Sequence, residues 1–153
     1  LPRMGIEREK YMYPINSLHK RGVNLAFGSD WYVTSANPLH AIEVAITRVD
    51  PDGLYPDPLV PEEAIDLATA IKAATYGSVY GNFLEHKTGT IEVGKLADLI
   101  ILDRNLFDIP PSEISDAKVI MTMFSGEVVY CDLEQFRLRL KRVPYLFDYA
   151  IVS

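Results

Sequence analysis

Hydrophobic positions along the chain change their spacing several times, and each change predicts an element. "PINSLHKRG", residues 14–22, opens on a proline, gathers basic residues late and stops at a glycine, which predicts a short helix. "VNLAF", residues 23–27, is a short apolar run of the kind found in strands of parallel sheets covered on both faces. In "NPLHAIEVAITR", residues 37–48, the spacing turns helical. Asn37 can cap this helix, Pro38 suits its first turn, and Leu39, Ile42, Ile46 and Val49 make one apolar stripe. Residues 50–61, "DPDGLYPDPLVP", hold five prolines and glycines and read as a loop.

Helical spacing resumes in "PEEAIDLATAIKAATYGSVYG", residues 61–81, with Pro61, Glu62 and Glu63 suited to a first turn. Gly77 and Gly81 predict a break and an end, hence two short helices in succession. From residue 88 the spacing becomes that of strands. "TGTIEVGKLADLIILD" predicts a short strand, a turn at Gly94 and a buried strand over 97–102. "KVIMTMFSGEVVYC" predicts a hairpin over 118–130 around Ser125-Gly126. The tail from Asp132, rich in leucine, arginine and aromatics, gives no clear pattern. A strand that wants neighbours on both sides stands alone here, and its helical stripe likewise calls for a covering wall.

Composition narrows the function. At 153 residues and 48% hydrophobic, the chain can bury a core of ordinary globular kind. A net charge of -6 and a pI near 5.0 argue against binding nucleic acid, which needs a basic face. No apolar run reaches the ~20 residues of a membrane-spanning helix, and no signal peptide opens the sequence. Cys131 is the one cysteine, so no internal disulfide forms and a cytoplasmic location is expected. The sequence opens on leucine, and a processed product or a cut piece is expected.

Few residues offer chemistry. Asp30, in "LAFGSDW", follows an apolar run and a Gly-Ser pair at the point where a strand gives way to a loop. Barrel enzymes place catalytic carboxylates at such strand ends, and aspartates in that setting also cap loops through their own backbone. Both readings stay open on the local pattern. His19, His40 and His86 are too dispersed for a zinc site, which needs three or four ligands. His40 and Glu43 lie three apart on one helix and could share a metal, but a solvated face is the simpler reading. Asp98 is read as structural, bonding the amides of the Gly94-Lys95 turn. Cys131 lacks a basic neighbour and reads as incidental. No phosphate loop, serine elbow or dinucleotide fingerprint is present.

Taken in order, "LAFGSDW", "NPLHAIEVAITR", "PEEAIDLATAIKAAT", "GTIEVGKLADLIILDRN" and "MTMFSGEVVY" resemble the amidohydrolase superfamily. The branch resembled is the one that includes N-substituted formamide deformylase, and the likeness runs from about residue 14 to 131. It implies an α/β fragment: the last strand-helix unit of a metal-dependent (β/α)8 barrel, joined to C-terminal strands of a small β-sandwich. The implied divisions are 1–86 for the end of the barrel, 87–131 for part of the sandwich and 132–153 for a tail. The resemblance makes Asp30 a metal ligand and the catalytic proton shuttle, with Ser29 and Trp31 flanking the pocket and Trp31 and Arg48 binding substrate. Tyr32 departs from the proline often found there, which bears on the loop's shape. A barrel of this kind takes ~250 residues, and the superfamily's other metal ligands lie upstream of anything present here.

The implied activity is hydrolysis of a non-peptide C–N bond, an amide or a formamide, in a small-molecule substrate. The implied cofactor is a divalent metal, zinc, held by the parent enzyme, with none expected in the isolated chain. The alternative is a truncated, non-catalytic oligomeric or interaction module. Under either reading no nucleic-acid or membrane partner is expected, and an unpaired strand beside a bare helical stripe points to a homo-oligomer.

Overall fold

Asn37 begins the longest regular α-helix in the computed structural model, which describes residues 5–140 and 150–152. Its side chain accepts the Leu39 amide at 3.0 Å, and Pro38 occupies the first turn, so α3 runs Pro38–Thr47 as the sequence predicts. Two shorter helices precede it, α1 (Ile6–Glu9) and α2 (Ile15–Lys20). Beyond it a 3₁₀ turn spans Pro61–Glu63. Next come α4 (Leu67–Lys72), a π turn (Ala73–Gly77) and α5 (Ser78–Gly81). The sheet follows, with β1 (Leu99–Leu102), β2 (Val119–Phe124) and β3 (Glu127–Cys131); then α6 (Leu133–Leu140) and β4 (Ala150–Val152).

The four strands pair antiparallel in the order β3-β2-β1-β4, with Ile101 opposite both Met121 and Ala150. Ser125 and Gly126 join β2 to β3 with φ of 52° and 85°. Both central residues are thus left-handed, the turn whose twist suits a tight hairpin. Asp98 clasps that hairpin from outside, one carboxylate oxygen accepting the Ser125 amide at 2.7 Å and the other the Thr88 hydroxyl at 3.0 Å. Its structural role is the expected one, but its partners are not the Gly94-Lys95 turn.

Three other expectations need correction. "VNLAF" forms no strand among the described residues; it is extended backbone lying on the π turn. A strand needs a ladder partner, and none is beside it here. Residues 88–92 likewise form bends and irregular backbone instead of a strand. The third concerns residues 61–81, where the helical break falls at 64–66 and not at Gly77. Asp66 caps α4 there, accepting the Thr69 amide at 2.9 Å and its hydroxyl at 2.7 Å. Those bonds hold its carboxyl below the usual aspartate range.

The stripe on α3 is not left bare. Leu39, Ile42 and Ala45 share one core with Ile65 and Ala70 and with Leu102, Leu106, Ile114 and Ala117. Leu102 and Ile114 are each only 1% exposed, so the C-terminal half of the chain supplies the wall itself. Ile46 and Val49 at the end of the stripe stay half-buried. Glu43, on the same helix, is also buried and accepts the Ser115 amide at 2.7 Å. The solvated face expected for it is therefore wrong: the carboxylate anchors the turn at 111–116, where an unpaired amide would be costly. No helix among the described residues is long and apolar enough to cross a membrane.

Candidate active site

Asp30 sits where the extended segment 23–29 turns into a loop, with φ of 49°. Aspartate tolerates this left-handed backbone better than most residues. The Val33 amide bonds the Asp30 carbonyl at 2.7 Å, and the Thr34 hydroxyl bonds the Ser29 carbonyl, so the loop is closed by backbone acceptors. The Asp30 carboxylate takes no part in that closure. It is exposed and has no hydrogen-bond or ion-pair partner among the described residues. The Asp30 backbone thus closes the loop, as the capping reading expects, while its carboxylate is left without a partner among the described residues.

Alternation along the segment explains the presentation. Leu25 and Phe27 pack toward the core, while Asn24, Ala26, Gly28 and Asp30 are exposed. That period of two is the one an extended chain imposes. Ala26 and Gly28, both small, are exposed along this segment, and Asp30 is exposed at its end. Beyond it Trp31 and Tyr32 are 71% and 86% exposed.

Arg48 lies elsewhere. It ends α3, a helix of ten residues and hence about 15 Å long, at the end away from the Asp30 loop. Its φ is 60°, and its guanidinium is buried, donating to the Leu59 carbonyl at 2.9 Å and the Met12 carbonyl at 3.3 Å. Burial lowers its proton affinity, opposed by the nearby Glu63 and Tyr13. Asp30 and Trp31 are neighbours on one loop, whereas Arg48 is committed to the Leu59 and Met12 carbonyls.

The sequence reading missed the burial of two carboxylates, Glu63 and Glu43. Glu63 accepts the Ser17 amide at 2.8 Å and the Ser17 hydroxyl, serving as a cap for α2 from a distant part of the chain. Glu43 holds Ser115 in the same manner. Each is flanked in sequence by ordinary helix residues, so only the tertiary contact reveals it.

The amidohydrolase family profile matches residues 1–130, most of the sequence. This chain belongs to the amidohydrolase family. It is 36% identical to Protein LONG AFTER FAR-RED 3 of Arabidopsis thaliana, over 84% of this chain and 22% of that protein. It is 28% identical to N-substituted formamide deformylase of Arthrobacter pascens, over 78% of this chain and 21% of that one. A 5-methylthioadenosine/S-adenosylhomocysteine deaminase of Symbiobacterium thermophilum is 30% identical over 78% of this chain and 29% of its own length. The chain thus spans between a fifth and a third of these relatives. No solved structure matches it at comparable stringency.

Amidohydrolases characteristically use a divalent metal, so the donor set was tested against one. Among the described residues no group of three or more histidine, cysteine, aspartate or glutamate side chains is placed to hold an ion. Asp30 offers a single free carboxylate, whereas Glu43 and Glu63 are committed to amides. His40 is half-buried on α3, and Cys131 is a free, half-buried thiol at the end of β3. The described residues do not fit a complete metal centre.

Proposed function

We propose that this chain is the C-terminal part of a hydrolase that cleaves a non-peptide C–N bond in a small molecule, with Asp30 as its proton carrier. One observation carries the reading. An otherwise well-bonded loop keeps one carboxylate exposed and unpartnered among the described residues, next in sequence to two exposed aromatic residues. A side chain that caps nothing and pairs with nothing contributes little to folding, and its placement suits work on a ligand.

In this reading the carboxylate accepts a proton from the attacking water as the new C–O bond forms. It then delivers that proton to the leaving nitrogen as the C–N bond breaks. Trp31 and Tyr32, exposed in this chain, would present aromatic surface to the substrate. Arg48 must break two hydrogen bonds to reach a substrate, so we give it the role of holding the 49–59 loop in place. The names of the deformylase and deaminase relatives support a C–N bond as the target. A divalent metal, expected to be zinc, would draw on Asp30 as one ligand and take the rest from outside the described residues.

The test uses the whole protein, assayed for formate release from N-alkylformamides and for ammonia release from aminopurine nucleosides. Release of either product, abolished or sharply reduced by Asp30→Asn, is the expected result. No turnover of either class, or an Asp30→Asn variant at full rate, would overturn the reading.

A further inference from the structure

Asp30 follows a segment that has no ladder strand beside it among the described residues. Something else must hold residues 23–29, and the structure shows what. The Phe27 amide donates to the Ala73 carbonyl at 3.1 Å. The Ser78 hydroxyl lies 2.8 Å from the Phe27 carbonyl oxygen and 3.0 Å from that of Ala73, so its one proton is shared between the two. All three groups meet at the π turn Ala73–Gly77. A turn bonded i→i+5 leaves the regular i→i+4 ladder, which frees carbonyl capacity for an outside donor such as the Phe27 amide.

Gly77 completes the seat. Its own backbone is ordinary helix, with φ of -62°, so no left-handed conformation demands a glycine. The demand is steric: a Cβ built there would stand 1.9 Å from the Leu25 carbonyl oxygen. Contact so close to a backbone atom cannot be relieved by turning a side chain. Any residue but glycine must push the 23–29 segment away from the helix.

We propose that Gly77 and Ser78 are positioning residues for Asp30, fixing the carboxylate by seating the backbone that leads to it on the π turn. This rests on the reading of Asp30 as the proton carrier. Phe27 is three residues from Asp30, so a slip of the seat is passed to the carboxylate with little slack. Misplacement of a reacting group by about 1 Å can cost on the order of 10²-fold in rate.

Two measurements test it. In this chain, labelled with ¹⁵N, Ser78→Ala should speed hydrogen exchange at the Phe27 amide by about tenfold, with amides of β2 unchanged; Gly77→Ala should do more. In the whole enzyme, turning over N-butylformamide, Ser78→Ala should lower kcat about tenfold at nearly constant KM. Ser78→Thr, which keeps the hydroxyl, should restore most of both losses. Unchanged exchange at Phe27 in Ser78→Ala would overturn the proposal. So would faster exchange with an undiminished kcat, in an enzyme that Asp30→Asn inactivates. An active Asp30→Asn enzyme would instead remove the proton-carrier reading, and the positioning role would fall with it.

Discussion

Ser17 gives both of its donors to Glu63: its amide lies 2.8 Å from one carboxylate oxygen and its hydroxyl bonds the other. The pair joins α2 to the 3₁₀ turn Pro61–Glu63 across 46 residues of sequence. The Ser17 hydroxyl is the main reason the Glu63 carboxyl is held below the usual glutamate range. The Ser17 and Asn16 amides and the Arg48 charge add to it, and burial works against it.

Because the folded-state value is depressed, the charged Glu63 stabilises the fold above its unfolded value of about 4.3. That contribution is lost as pH falls through the lower folded value. Urea midpoints should hold steady from pH 7 to about pH 5 and decline below it. Glu63→Gln should cost about 1–3 kcal/mol at pH 7 and flatten the acid decline. A variant with the same acid limb as the parent would show that other carboxylates, Asp66 among them, govern it.

Asp30→Asn should separate function from folding. In the whole enzyme it should lower turnover by roughly 10²- to 10⁴-fold, the scale for a lost acid-base group. In this chain it should change stability by less than about 0.5 kcal/mol, since the carboxylate is exposed and unpartnered among the described residues. Thermal melts of the two chains, run side by side, check the second half.

Leu102→Ala and Ile114→Ala remove side chains that are each 1% exposed and that cover the stripe on α3. Each should cost about 2–5 kcal/mol, with the spread set by how far the site collapses. Loss of α3 helicity together with the sheet in one transition would show a shared core. Two separate transitions would show that the halves fold apart.

Self-association is also expected, though for another reason than a bare stripe. β3 lies at one edge of the sheet in the order β3-β2-β1-β4, and its Val128, Val129 and Tyr130 are exposed. Edges of this kind invite a second copy. Sedimentation at micromolar concentration should show a dimer or larger species, and Val129→Lys should shift it toward monomer.

Local chemistry made several elements legible. Asn37 and Pro38 started α3, and Ser125-Gly126 turned the hairpin, because caps and tight turns depend on a few adjacent residues. Asp30 stood out for the same reason, as a carboxylate against an apolar run. Elements needing a partner were misread. "VNLAF" has strand composition, yet whether it makes a ladder depends on a neighbour that composition cannot supply. Glu43 and Glu63 looked like surface charges because their amide partners sit 72 and 46 residues away. Gly77 read as a helix breaker, when its missing Cβ makes way for Leu25.

The core that ties α3 to β1 and to the turns after it sets a timetable for synthesis. Roughly seventy residues separate Ile42 from Ile114, and ribosomes add about 5–20 residues per second. The apolar face of α3 therefore spends several seconds or more in the emerging chain before its cover exists. During that interval Leu39 and Ile42 are what a chaperone, or a neighbouring nascent chain, would meet.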